Sequence, residues 1–258
     1  MKVTVLGGSA AGGNTDQGCS GYLVETAGAR LVLALGPGTL PELRRHADFR
    51  ALAGVVVSHL HLDHVLDLLA LRFALAYNPR PAPAPVPLWL PPGGHAFLAT
   101  AARAFAAPGE ADRFFSGVFA VNEYDPDRPL TLGTARLTFS PTAHFVPCWA
   151  IRVQERAGAK ALAYTADTGP AADLVPLAAG ADLLIAESTL LHPAADPGPN
   201  RGHLTAVEAA DLARRAQVST LVLTHLWEEH GFARYREQAA AIFPGRIEIA
   251  TPGLAIDW

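Results

Sequence analysis

Cysteine is scarce: Cys19 and Cys148 are the only two in 258 residues, too few for a disulfide framework. A reduced compartment is the default for such a chain. Positive charge is not in excess either, since 20 Lys and Arg face 24 Asp and Glu, for a net charge of −4. That excludes a global pull toward nucleic acid, while leaving room for a local basic patch. No uninterrupted apolar run approaches the length of a membrane span. The opening Met1-Lys2-Val3-Thr4-Val5-Leu6-Gly7-Gly8 is too short and too glycine-rich for a signal-peptide core. The expectation is a cytoplasmic protein with no membrane partner. Repeats and long linkers are also missing, so one domain over residues 1–258 is expected. Hydrophobic residues, at 50%, are plentiful enough for a sizeable core.

Short β-rich runs and helical segments alternate along the chain. Strands are expected at 2–6, 20–26, 30–35, 53–58, 130–139, 148–155, 160–165, 182–187, 219–224 and 246–250. The apolar patch Val86, Leu88, Trp89, Leu90, inside a proline-rich stretch, reads as one more strand between loops. Helices are expected at 64–77, 95–106, 171–179, 204–216 and 232–243. Thr205 and Glu208 have capping-box spacing, which leaves His203 in the loop before a helix. This mixture suggests two sheets packed face to face with helices outside.

The richest stretch is Ser58-His59-Leu60-His61-Leu62-Asp63-His64, which follows the apolar Val55-Val56-Val57. Histidine and carboxylate are the side chains that bind zinc and similar divalent ions at neutral pH. Neither regular element aligns all four: a strand turns His64 away, and a helix scatters His59 and His61. A strand ending near Ser58, a tight loop and a helix starting near Asp63 would let these side chains surround one point. Three more ligand types stand where an apolar strand meets a loop: His144, Asp167 and His225. Each alone reads equally as a polar strand end; with the cluster they make a set large enough for two metal ions.

In these residues the chain resembles the metallo-β-lactamase-fold hydrolases, and within them the ribonuclease Z-like and phosphodiesterase branch. H-x-H-x-D-H followed in order by His144, Asp167 and His225 is the specific part of the match. Pro141-Thr142-Ala143-His144-Phe145-Val146-Pro147-Cys148, Glu187-Ser188-Thr189 and His203-Leu204-Thr205 favour that branch. The resemblance implies an α+β fold, a four-layer αββα sandwich with metals at one rim. It implies His59, His61 and His144 on a first ion, Asp63, His64 and His225 on a second, and Asp167 bridging both. The ions would be zinc first, with manganese or iron as alternatives. A hydroxide between them would be the nucleophile, oriented or deprotonated by Asp63. His203 becomes a candidate general acid or substrate-phosphate contact, and Glu187 either orients it or merely closes a strand.

The function so implied is metal-dependent hydrolysis, with a phosphodiesterase on a small nucleotide-like molecule ahead of an ester, lactone or thioester hydrolase. A tRNA 3′-processing endonuclease and a di-iron oxidoreductase rank lower. The chain has no glycine- and lysine-rich arm of the kind tRNA-processing relatives use to grip RNA, so nucleic acid is not the expected substrate. Relatives of this type often pair, and a homodimer is carried as an expectation. Ala34, in Leu33-Ala34-Leu35-Gly36, stands where such proteins commonly have an aspartate supporting the metals, which predicts weaker metal retention. Residues 78–126 sit where substrate-selecting insertions often occur, but read equally as scaffold. Phe145 and Trp227 are candidates to line the pocket or to pack in the core. Cys148 is expected as a small core residue, and His46, His95, His192 and His230 as surface residues.

Overall fold

Strands that are apolar at nearly every position, such as Leu31-Val32-Leu33-Ala34-Leu35, need cover on both faces. A computed structural model, which describes residues 1–155, 160–196 and 201–258, shows how they obtain it. One seven-stranded sheet runs, in spatial order, β14 (Ala255–Asp257), β1 (Lys2–Gly7), β2 (Gly21–Thr26), β3 (Ala29–Leu35), β4 (Gly54–Val56), β5 (Val86–Leu90), β6 (Phe119–Glu123). The second runs β13 (Arg246–Ile249), β12 (Thr220–Thr224), β11 (Leu183–Glu187), β10 (Ala161–Tyr164), β9 (Trp149–Glu155), β8 (Ala135–Pro141), β7 (Leu130–Leu132).

Alternate side chains of each strand enter different cores. Leu31 and Leu33 of β3, and Leu183 and Ile185 of β11, meet between the sheets with Tyr22, Ile151 and Val222. Val32 and Leu35 instead face an outer layer built from α1 (Thr39–His46), α2 (Leu62–Val65), α3 (Asp67–Tyr77) and α4 (Gly94–Phe105). On the opposite side, Leu184 and Ala186 pack under α5 (Val175–Ala178), α6 (Ala206–Arg215) and α7 (Phe232–Ala240). Alanines on both surfaces there, including Ala161, Ala163, Ala209, Ala210 and Ala213, let α6 approach its sheet closely. The result is the four-layer αββα sandwich that the resemblance implies. Among the described residues no helix is long and apolar enough to cross a membrane.

Some elements depart from the sequence reading. The run 130–139 is a hairpin, β7 and β8, folded at Gly133, whose φ of 58° places it in the left-handed region. The helix expected over 64–77 is two pieces sharing Leu66 as cap. The helix expected at 171–179 contracts to the single turn of α5, while α1, β6 and β14 were not anticipated. Residues 78–126 supply β5, α4 and β6, so this segment is scaffold that extends the first sheet.

In both sheets antiparallel pairing gives way to parallel pairing: β3 to β6 in one, β10 to β13 in the other. The carboxyl ends of β3, β4, β10, β11 and β12 are followed by residues 36, 57, 165, 188 and 225, which open the loops around the candidate site residues.

Candidate metal centre

The His59–His64 loop leaves β4 and enters α2, with His61 as the N-cap residue and Asp63 in the first turn. Its path is fixed by a neighbour without a side chain. A Cβ on Gly36 would lie 1.9 Å from the carbonyl oxygen of Asp63, so only glycine lets the loop after β3 pass there. On the other sheet, Ala166 and His225 adopt left-handed backbone angles, φ 52° and 59°, directly at the strand ends. Non-glycine residues pay for such angles, and the surrounding packing must hold them. Here they turn Asp167 and His225 back over the sheet edge.

Three groups of ligand atoms result, each within 4.8 Å of one another: His59, His61, His144 and Asp167; Asp63, His64, Asp167 and His225; and, at the rim, Glu187, His203 and His225. Asp167 belongs to the first two. Its Oδ1 is 3.3 Å from His64 Nε2, and its Oδ2 is 3.4 Å from His225 Nε2 and 3.7 Å from both His59 Nε2 and His144 Nε2. Asp63 Oδ2 lies 3.0 Å from His225 Nε2 and 3.3 Å from His64 Nε2, while His61 Nδ1 and His144 Nε2 face each other at 3.0 Å. The structure therefore brings together all the ligand candidates read from the sequence.

Metal ions fit this donor set. His59 Nε2, His64 Nε2 and Asp167 Oδ1 are buried without any hydrogen-bond partner, an arrangement too costly to keep unless something else binds there. The opposite ring nitrogens are occupied. His59 Nδ1 meets Ser58 Oγ at 3.1 Å, His64 Nδ1 the Tyr164 hydroxyl at 3.4 Å, His144 Nδ1 the Gly202 carbonyl at 3.0 Å, and His225 Nδ1 the Thr189 hydroxyl at 2.6 Å. Such partners fix the tautomer and aim the remaining nitrogen at the centre.

Electrostatics agree. Burial pushes His59, His61 and His144 below the ordinary imidazole range, which favours the neutral, ligating form. Burial alone would raise the carboxyls of Asp63 and Asp167. The neighbouring His225 and His64 outweigh it and hold both well below the usual range. His64 is likewise opposed by burial, yet Asp167 and Asp63 push it up to about 10. Two buried carboxylates thus demand positive charge between them, which a metal would supply.

At the rim, His203 Nδ1 donates to Glu187 Oε1 at 3.0 Å. Its ring stacks on His225, centroids 5.4 Å apart, and meets His144 edge-on. Burial lowers its proton affinity, but the bond to Glu187 raises it above the ordinary value. The capping box holds as read: Glu208 N–H bonds Thr205 Oγ1, and Thr205 N–H bonds Glu208. Phe145 is 62% exposed and leans on His144 and His203. Trp227 lies over Gly12 instead. Cys148 is buried between the sheets; burial pushes its thiol up, and Sγ donates to the Asp167 carbonyl at 3.4 Å. His46, His95 and His192 are exposed and His230 is half-buried, all outside the cluster.

Comparison with known proteins gives concordant results. Residues 30–226 match the family model described as a beta-lactamase superfamily domain. The chain is similar to the probable metallo-hydrolase YhfI of Bacillus subtilis, at 30% identity over 98% of each chain. It is 35% identical to the uncharacterized protein Rv1339 of Mycobacterium tuberculosis, over 88% of this chain and 81% of the relative. A ribonuclease Z of Natronomonas pharaonis is 29% identical, over 88% and 87%. Among solved structures, Bacillus subtilis YhfI superposes with a TM-score of 0.84 at 26% identity, over 99% of both chains. A diphosphatase of the PhnP family (TM-score 0.72, 18% identity, 100% and 97% covered) and unliganded yeast PDE1 (0.73, 14%, 100% and 99%) share the fold.

Proposed function

The chain belongs to the β-lactamase superfamily, as a metallo-β-lactamase-fold metallo-hydrolase with ribonuclease Z-like relatives. From that premise we propose that it is, as a single domain, a phosphodiesterase acting on a small nucleotide-like substrate with two zinc ions.

The observation that carries this reading is the shared carboxylate of Asp167, which gives two adjoining ligand groups one common member. His59, His61 and His144 would hold one ion, Asp63, His64 and His225 the other, and Asp167 both. Two ions so placed would supply Lewis acidity to both the attacking and the leaving oxygen, and would lower the pKa of a coordinated water. The chain's own residues do the rest. Asp63, anchored by His64 and His225, orients or deprotonates the attacking water. His203 has its Nδ1 committed to Glu187, which leaves Nε2 to protonate a leaving oxygen or to contact the phosphate.

Phosphorus chemistry draws support from the branch motifs at residues 187–189 and 203–205, and from fold neighbours named as a diphosphatase and a PDE. A small substrate is favoured by charge. Arg201, two residues before His203, is already engaged by the His203 carbonyl and Glu208. The net charge of −4 adds nothing to hold a polyanion.

The test is a hydrolysis panel on zinc-loaded protein: bis-aryl phosphate, cyclic nucleotides, precursor tRNA, a lactone, a thioester and a β-lactam, with Asp167→Ala as blank. Turnover of the phosphodiesters is expected. Turnover confined to the lactone or thioester would replace the phosphodiesterase reading with the ester-hydrolase one, and cleavage of precursor tRNA alone would overturn the small-substrate assignment.

A further inference from the structure

Behind the candidate ligands, Ser58, Tyr164 and Gly202 offer His59, His64 and His144 only neutral oxygens. His225 differs. Its Nδ1 is 2.6 Å from Thr189 Oγ1, and that hydroxyl is 2.9 Å from Glu187 Oε2. A hydroxyl carries one hydrogen, and a carboxylate can only accept. The hydrogen therefore points from Thr189 to Glu187, and Thr189 Oγ1 accepts from the N–H of His225. This polarity places the proton of His225 on Nδ1 and its lone pair on Nε2, the atom facing Asp63 and Asp167.

Thr189 is itself tightly placed. It is buried, its N–H donates to Glu187 Oε2 at 3.1 Å, and its carbonyl accepts from the Tyr235 hydroxyl at 3.2 Å. The next residue, Leu190, bonds through its N–H to the Leu204 carbonyl at 3.0 Å, joining this loop to the one that carries His203. Glu187 meanwhile accepts from Thr168 N–H and His203 through its other oxygen.

We infer that Thr189 is a positioning residue for the metal centre, whose hydroxyl fixes the tautomer and aim of His225 and links it, through Glu187, to His203. The inference rests on the ligand assignment proposed above. Its consequence is selective: the ion held by Asp63, His64 and His225 depends on Thr189, and the ion held by His59, His61 and His144 does not.

The experiment uses the full chain, stripped of metal by chelator dialysis, then titrated with zinc against a chromophoric chelator and, separately, with cobalt while the visible spectrum is recorded. Thr189→Val keeps the shape and removes the hydroxyl; Thr189→Ser keeps the hydroxyl. For Thr189→Val one of the two affinities is expected to fall by roughly 10–100-fold, with the matching cobalt band altered and the other site unchanged. Thr189→Ser is expected within a few-fold of the parent. Where Thr189→Val does not give the native far-UV spectrum, Thr189→Ala takes its place. Equal affinities in parent and hydroxyl-free variant, equal weakening of both sites, or a serine variant as weak as valine would each overturn the inference. A parent protein that takes up no zinc would overturn the ligand assignment itself, which the parent titration alone reveals.

Discussion

The Tyr164 hydroxyl stands 3.4 Å from Nδ1 of His64, at the base of the cluster and within the core between the two sheets. This phenol partners the imidazole of a candidate ligand in a chain that carries Ala34, where an aspartate was expected from the resemblance. Ala34 has φ 57°, a region that aspartate tolerates better than most residues. Ala34→Asp is therefore expected to fold and to slow zinc loss in chelator dialysis. Tyr164→Phe should speed that loss by about 10-fold, the lower end for a supporting partner. Parent protein that keeps its zinc through dialysis, with no change in Ala34→Asp, would show that the alanine costs nothing.

Two glycines beside His203 look alike in sequence but differ in what a methyl group would strike. On Gly169 it would lie 1.6 Å from the Arg201 backbone carbonyl; on Gly202 it would lie 2.6 Å from the ring of Phe145, which is exposed and able to swing out. Gly169→Ala should cost at least ~2 kcal/mol in urea unfolding, and Gly202→Ala should cost well under that. Similar losses for both would contradict the assigned packing.

Thr205 caps α6 and fixes the loop bearing His203. Loss of this cap in Thr205→Ala should remove about 1 kcal/mol of stability. In a thermal scan that is a fall of roughly 2–4 °C for a chain of this size. An unchanged melting temperature would mean the reciprocal bonds with Glu208 contribute nothing.

Glu42, nearly buried on α1, accepts from His46 Nε2 at 2.8 Å and from Arg45. Burial opposes its ionisation, but these bonds outweigh it and lower its carboxyl below the ordinary value. A lowered native pKa gives stability that is full above the unfolded value, about 4.3, and is lost as pH falls through the native one. Glu42→Gln should thus cost ~1 kcal/mol at pH 7 and progressively less as pH falls below about 4.3. A difference constant across that range would refute the electrostatic account.

The His59–His64 loop was legible because its candidate ligands are neighbours in the chain and their spacing fits no regular element. His144, Asp167 and His225 were legible only as polar residues at strand ends; what unites them is the register of β8 to β12, which no local pattern reveals. Thr189 lies within the Glu187-Ser188-Thr189 motif, yet its partner His225 is 36 residues away, and the role inferred for it follows from a hydroxyl's single hydrogen. The α1 helix has a weak local signal, since Pro41 and the glycines before it disfavour a helix, although proline is tolerated in a first turn. Strand β6 was hidden by Asn122 and Glu123 at its end, and β14 by its three-residue length.

One consequence of the architecture concerns mechanical unity. His59, His61, Asp63 and His64 follow a strand of one sheet, whereas His144, Asp167 and His225 follow strands of the other. Any cation grasped from both sides rivets the two halves of the sandwich across their open edge. Its binding free energy then adds to cohesion between the halves, about 2.7 kcal/mol when free ion stands at 100 times its dissociation constant. Resistance to prying those halves apart becomes a property set by ion supply as much as by the buried side chains.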